Sequence, residues 1–263
     1  MNAPPLTSGE MDQISSVWSK QPETSIVVPA YNESKVLAST IRAMAKAVFV
    51  GGTKTELLVI DNASTDETAE IAERLGARIV HEKKKGLSYA REAGIQNAAG
   101  DIILSTDADT RVGPQWIRCH ERHYADGNIV GVVGGHRFEG AHSLLVFYKA
   151  CARAVQKLAS LTSQGPKGHW SGCNTSYRTR TVRDVGGYDP GRDQAEDLII
   201  SMKLQRVGTV LFDPSPEISV VTDGRRFDTA SKVMHETCRK LRMLSRGSLY
   251  SPPDKPQTFE DIR

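Results

Sequence analysis

Four short apolar runs in the first 105 residues limit what this chain can become. Ser25-Ile-Val-Val-Pro29 and Leu57-Leu-Val-Ile60 read as buried strands, and Ala77 to His81 and Ile102-Ile-Leu104 continue the series. Between them the periodicity is helical. Val36, Leu37, Thr40, Ile41 and Met44 share one face of a helix expected over about Ser34 to Ala47. Ser64 and Glu67 have the spacing of a capping box for a second helix, which Gly76 closes. A third helix is expected from Leu87 to Ala98, ended by Gly100. Continuous apolar strands alternating with amphipathic helices indicate an α/β fold, a mostly parallel central sheet with helices on both faces.

The second half is less regular. Asn128 to Val133 reads as a strand, Ser143 to Leu161 as a helix, and Gln164 to Gly168 as a loop leading to a strand-and-turn segment, Trp170 to Asn174. Ala195 to Val207 is helical and capped by Gly208; Val210-Leu-Phe212 and Ile218-Ser-Val-Val221 are short strands, and a last helix spans about Thr229 to Ser245. The expected organisation is a flexible arm over 1–22, one α/β domain over 23–223, a basic amphipathic helix within 224–250 and a loose tail over 251–263.

Composition narrows the class. A chain of 263 residues, 39% hydrophobic and 25% charged, can bury a large core without staples and is neither collagen-like, disordered nor an integral membrane protein. No stretch approaches the roughly 20 uninterrupted apolar residues of a membrane span. A formal net charge of +3 is too small to imply nucleic-acid binding. Cys119, Cys151, Cys173 and Cys238 are scattered without a C-x-x-C pair, which argues against a disulfide framework or zinc cluster and for a cytoplasmic location. Met1 to Pro22 has no apolar run and is not read as a signal peptide.

In open parallel sheets ligands bind beyond the carboxyl ends of the strands. Here those ends carry Pro29-Ala-Tyr-Asn-Glu33, Asp61-Asn62, Glu82-Lys-Lys-Lys-Gly86 and Thr106-Asp-Ala-Asp109. Neither a G-x-G-x-x-G nor a P-loop pattern follows the first strand. Asp107 and Asp109 offer two adjacent carboxylates that repel each other and suit a hard divalent cation. The competing reading of such a pair is a turn.

The ordered set Val27-Val-Pro-Ala-Tyr-Asn-Glu33, Val59-Ile-Asp-Asn-Ala-Ser-Thr-Asp-Glu-Thr68, Gly86-Leu-Ser-Tyr-Ala-Arg-Glu-Ala-Gly94 and Ala99-Gly-Asp-Ile-Ile-Leu-Ser-Thr-Asp-Ala-Asp109 resembles the successive motifs of family 2 glycosyltransferases. The resemblance continues through Gly172-Cys-Asn-Thr-Ser-Tyr-Arg178, Gly186-Gly-Tyr-Asp189 and Glu196-Asp197, covering about Thr24 to Gly208. It implies an inverting, nucleotide-sugar-dependent enzyme with a GT-A-type domain and a divalent cation, Mn²⁺ or Mg²⁺. Pro29, Ala30, Tyr31 and Glu33 would border the nucleoside, Asp61 would accept a hydrogen bond from the base, and Lys85, Gly86, Arg91 and Asp107 would approach the nucleotide. Asp107 and Asp109 would hold the metal. Asp197, beside Glu196, would be the catalytic base. Trp170, Ser171, Gly172, Cys173 and Asn174 would line the sugar and acceptor pocket, although Cys173 itself reads as a small buried residue. Where family members often carry Asn, this chain has Glu92, and no ligand contact is assigned there. Asp223 and His235 lie in the right part of the chain to complete the metal set, and nothing in the sequence selects either.

The implied partners are a UDP- or GDP-linked sugar and a hydroxyl acceptor, with a lipid-linked acceptor among the options. Gly224 to Arg246 carries seven basic residues against two acidic ones, with Val233, Met234, Thr237, Leu241 and Leu244 at helical spacing. Lys149, Arg153 and Lys157 form a second basic row. Two readings stand: solvated faces of packed helices, or a peripheral dock on the inner face of an anionic membrane. Arg225 and Arg226 can also reach a donor diphosphate if this segment folds over the site. The rival activities are a nucleotidyltransferase, which would want a glycine-rich phosphate loop after the first strand, and a nucleotide-sugar-binding module without turnover, against which the intact Asp107, Asp109 and Asp197 argue.

Overall fold

The computed structural model describes residues 6–145, 171–192, 196–235 and 238. The main sheet is built from β1 (Thr24–Ala30), β2 (Thr55–Asp61), β3 (Arg78–His81), β4 (Ile102–Ser105), β6 (Ile129–Gly134), β8 (Thr175–Arg178) and β9 (Thr209–Asp213). Their order is β3-β2-β1-β4-β8-β6-β9. β1, β2, β3 and β4 pair in parallel, as do β6 and β9, whereas β8 runs antiparallel to both β4 and β6. The sheet is mostly parallel, as expected, with one reversed strand.

The apolar runs are continuous because the period-two alternation of a strand divides them between two cores. Ile26, Val28, Leu57 and Val59 face α2 (Leu37–Gly51) and α3 (Thr68–Arg74), packing with Leu37, Ile41, Met44 and Ala72. Val27, Leu58 and Ile60 face α4 (Leu87–Asn97), packing with Ala90 and Ile95. Each fully buried aliphatic side chain contributes about 1.5–3 kcal/mol, so a polar residue on either side of these strands would be costly. Later in the chain come α5 (Trp116–Glu121), α6 (Thr179–Asp184) and α7 (Glu196–Gln205).

Three expectations need correction. The Ser64–Glu67 capping box does not form: α3 starts at Thr68 without a side-chain bond at its cap. Ser64 Oγ instead accepts the Asn32 N–H at 3.1 Å, and Asp66 accepts the Thr68 N–H at 3.1 Å. The arm expected to be flexible contains helix α1 (Ser8–Ser15), opened by a true capping box between Thr7 and Glu10. Ile14 is buried, Trp18 Nε1 donates to the Leu75 carbonyl at 2.8 Å and Ser19 N–H to the Thr55 carbonyl at 2.8 Å, so the arm is fastened to the domain. A second sheet was not anticipated. β5 (Thr110–Arg111), β7 (His136–Glu139) and β10 (Val220–Asp223) assemble in the order β5-β10-β7, directly beyond Asp109.

The chain is helical over 230–235, where Val233 packs with Leu145 and Phe227. Most of the helix expected over 143–161, the loop 164–168, the later part of the basic C-terminal helix and the tail lie outside the described residues.

A polar knot sits inside this fold. His120 is fully buried, with Nε2 2.9 Å from Asn174 Oδ1 and Nδ1 2.8 Å from Ser176 Oγ. Burial pushes its imidazole down to about 4, against the hydrogen bond to Asn174 that favours the charged form. The unfolded chain therefore takes up this proton first on acidification. The His120 contribution to stability is complete above about pH 6.5 and is lost as pH falls towards 4. Melting temperatures measured from pH 7.5 to 4.5 are expected to fall below pH 6.5, and less steeply in His120→Gln; an identical slope in the variant would assign the acid sensitivity elsewhere.

Candidate active site

Ala30, Asp61 and His81 are register partners at the ends of β1, β2 and β3, so the loops that follow start from one edge. Backbone donors tie the first two loops together: Glu33 N–H donates to Thr68 Oγ1 at 2.8 Å, and Thr65 N–H to Asn32 Oδ1 at 2.8 Å. Asp61 accepts from Ser64 N–H and faces His81 Nδ1, each at 3.2 Å. Asn62 fixes the third loop. Its buried amide donates to the carbonyls of Glu82 and Lys84 at 3.1 and 2.7 Å and accepts the Gly86 N–H at 2.8 Å. Lys85 Nζ in turn donates to Tyr31 Oη at 2.9 Å. Pro29, Ala30, Tyr31, Asp61, Lys85 and Gly86 are thus gathered at one edge. Asn62 was not singled out from sequence, although an Asn directly after a strand is a usual source of loop-fixing amide bonds.

The acidic residues divide between two arginines. Arg91 on α4 is 3% exposed and donates from Nη1 to Glu196 Oε1 at 2.9 Å and to Asp197 Oδ1, while Nη2 reaches Asp107 Oδ1 at 3.3 Å. Burial alone would lower the Arg91 pKa, but Asp197, Tyr188, Glu196 and Asp107 together hold it well above its ordinary value. Its Nε is buried without a partner, a loss of about 1–3 kcal/mol that the carboxylate pairs must outweigh. Arg225, in the turn after β10, donates to both oxygens of Glu33 at 2.7 Å and to Asp109 Oδ2 at 3.2 Å. The small sheet places this turn: Thr222 Oγ1 donates to Asp109 Oδ1 at 3.1 Å and Asp223 N–H to the Asp109 carbonyl at 3.2 Å. Arg226 occupies the same turn.

Asp197 is delivered by the first turn of α7, and its Oδ2 accepts the Gly172 N–H at 2.8 Å. The reversed strand explains why Gly172 is there. Thr175, at the start of β8, pairs with Ser105, at the end of β4, so the residues leading into β8 arrive beside Asp107. A Cβ at Gly172 would overlap the Arg91 guanidinium, which would have to shift to admit it. Gly187 is similarly constrained by Glu92, whose carboxylate accepts the Tyr188 N–H at 2.7 Å. Glu92 therefore has a role within the fold that needs no ligand.

The segment 171–174 is only partly a pocket lining. Asn174 is a correction: its side chain is fully buried, its Nδ2 donating to the Gly135 and Ile218 carbonyls at 2.7 and 2.9 Å and its Oδ1 accepting from Trp116 Nε1 at 2.8 Å. It anchors the loop from inside. Cys173 is buried, which raises its thiol pKa, and Ser171 Oγ lies 3.0 Å from its sulfur. Trp170 lies outside the described residues.

The donor set at Asp107 and Asp109 fits a divalent cation. Burial, and then the charges of Asp107 and Glu33, push the Asp109 carboxyl up to about 6 against the opposing Arg225 and Thr222. Crowded hard oxygens of this kind are relieved by a cation. No group of three His, Cys, Asp or Glu side chains able to hold a metal forms among the described residues. A cavity of about 610 Å³ adjoins Asp109 and Asp223, running between α1, α2 and α3 past Lys35, Arg42 and Arg74.

An α/β sheet with loops at its strand ends and a divided acidic cluster defines the class. The chain belongs to glycosyl transferase family 2, whose model matches residues 25–186. It is 28% identical over 168 residues to an undecaprenyl-phosphate 4-deoxy-4-formamido-L-arabinose transferase of Klebsiella pneumoniae, covering 61% of this chain and 50% of that one. The chain thus spans about half the length of the curated relatives it matches. It is also 30% identical over 123 residues to glycosyltransferase AglE of Haloferax volcanii, covering 44% and 39% of the two chains. Its fold is similar to the mannosyltransferase PcManGT of Pyrobaculum calidifontis, solved with GDP-Man and Mn²⁺, at TM-score 0.62, 19% identity and coverage of 92% and 68%. It is similar too to glucosyl-3-phosphoglycerate synthase of Mycobacterium tuberculosis, solved with Mn²⁺, UDP-glucose and phosphoglyceric acid, at TM-score 0.59, 20% identity and coverage of 96% and 86%. The GT-A-type fold is the one the motifs implied.

Because Asn174 serves four buried groups, Asn174→Ala is expected to lower unfolding stability by about 3 kcal/mol, measured in urea. A change below about 0.5 kcal/mol would mean that these bonds do not hold the loop.

Proposed function

We propose that this chain is the catalytic domain of a metal-dependent inverting glycosyltransferase, moving a sugar from a UDP- or GDP-linked donor to a hydroxyl acceptor. The observation that carries the reading is the meeting of Asp107 with Glu196 and Asp197 around the buried Arg91 beyond the strand ends, with Asp109 close by on Arg225. The gathered edge of Pro29, Ala30, Tyr31, Glu33, Asp61, Lys85 and Gly86 supplies a nucleoside cradle of suitable chemistry: an aromatic face, a carboxylate acceptor and a cationic head.

Asp197 acts as base. It takes the proton from the acceptor hydroxyl while that oxygen bonds the anomeric carbon from the face opposite the diphosphate. The bond between the anomeric carbon and the diphosphate oxygen breaks, and its electron pair leaves with the nucleoside diphosphate. A divalent cation on Asp107 and Asp109, Mn²⁺ or Mg²⁺, would take up the charge that develops on that leaving group. Arg225, with Arg226 beside it, is positioned to exchange carboxylate partners for diphosphate oxygens. Ser171 and Gly172 border the space between donor and acceptor, with Trp170 as the neighbouring aromatic candidate.

A lipid-linked saccharide, whose hydroxyl needs a base, is the favoured acceptor; the name of the Klebsiella relative carries a polyprenyl lipid, undecaprenyl phosphate. No helix among the described residues is long and apolar enough to cross a membrane. The basic segment that begins at Arg225 is a candidate for peripheral contact with an anionic inner membrane face carrying such an acceptor.

Asp109→Ala is expected to abolish Mn²⁺-dependent donor binding in calorimetry. Asp197→Asn is expected to bind donor normally and lose transfer by at least ~100-fold, the lower end of what general-base removal costs. Normal turnover by Asp197→Asn would refute the assignment of the base.

A further inference from the structure

Arg91 joins the two acidic groups whose roles the proposed chemistry separates. One terminal nitrogen serves Glu196 and Asp197, and the other serves Asp107. Gly172 leaves room for the guanidinium, whose carbon lies 5.8 Å from the centre of the Tyr188 ring. Asp197 is held at both oxygens, Oδ1 by Arg91 and Oδ2 by the Gly172 N–H at 2.8 Å. Bonds at both oxygens fix the plane of a carboxylate. The Asp197 side chain keeps 23% of its surface exposed, against 3% for Arg91. The carboxylate is the more accessible of the two groups.

From this geometry we infer that Arg91 is a positioning residue: it holds the Asp197 carboxylate at a set place relative to Asp107, instead of binding the nucleotide itself, and Gly172 supplies the space this requires. The inference rests on the transferase reading above. It departs from the expectation that Arg91 contacts the donor, because both terminal nitrogens are already engaged within the protein. A base misplaced by about 1 Å can cost 100-fold in rate without touching the substrate. Lysine cannot reproduce the fork, since its ammonium is a single point charge on a flexible stem.

Two variants test this through different atoms. Arg91→Lys keeps the charge and removes the fork; Gly172→Ala keeps every charged group and pushes the guanidinium aside. Each is compared with wild type for kcat, donor KM and calorimetric binding of UDP- or GDP-sugar with Mn²⁺, and Arg91→Lys is also combined with Asp197→Asn. The expected result is a kcat loss of about 100-fold in both single variants with donor affinity within about twofold. Adding Arg91→Lys to Asp197→Asn should then cost no further rate, since Arg91 acts through Asp197. Donor affinity weakened tenfold or more with kcat retained would overturn the inference, and so would fully additive losses in the double variant. A wild-type chain that turns over no sugar nucleotide would overturn the transferase reading along with it, a result distinct from an active wild type whose Arg91 variants lose donor binding.

Discussion

A guanidinium buried among three carboxylates is the interaction on which the rest of the site depends. A charge removed from water must be paired, and withdrawing one partner from such a cluster typically costs about 3–5 kcal/mol. Arg91 therefore requires α4, the end of β4, the residues before β8 and the first turn of α7 to meet at one place. The antiparallel insertion of β8 beside β4 satisfies that requirement, because it brings the start of one strand to the end of the other. An all-parallel sheet would deliver the Gly172 loop to the opposite edge.

Arg225 does for the outer carboxylates what Arg91 does for the inner ones, and the difference in burial sets their uses. Arg91 is sealed in the fold, whereas 42% of the Arg225 side chain is exposed and it enters from a short turn on a three-stranded sheet. An exposed arginine on two carboxylates can exchange partners at little cost; a sealed one cannot. Even with both arginines present, acid predominates among the described residues here: Glu33, Asp107, Asp109, Glu196, Asp197 and Asp223 are paired with Arg91 and Arg225. Burial, and then the charges of Asp107 and Glu33, push the Asp109 carboxyl up to about 6.

Much of this could be read from the chain, and the failures have physical causes. The buried strands announce themselves because both faces are covered, and the polar clusters after them fall at the strand ends by topology alone. The Ser64–Glu67 pattern misled because the Ser64 hydroxyl is claimed by Asn32, a partner 32 residues away, before it can cap a helix. The N-terminal arm is polar in composition yet docks through Ile14 and Trp18, and its genuine capping box at Thr7 and Glu10 was there to be found. Strands of two to four residues such as β5 and β7 carry no readable period. Asn174 was assigned to the pocket by its neighbours, while its buried amide is used by Trp116 and two carbonyls. The bond between Arg91 and Glu196 spans 105 residues, and no local pattern encodes it.

The most direct test is a crystal of this chain with Mn²⁺ and a nucleoside diphosphate, with the metal located by its anomalous signal. The expected map has the Mn²⁺ peak within coordination distance of Asp107 or Asp109 and of the diphosphate, with the base beside Asp61. A metal peak remote from both aspartates, or a diphosphate bound away from these strand ends, would contradict the assignment of this cluster as the donor site.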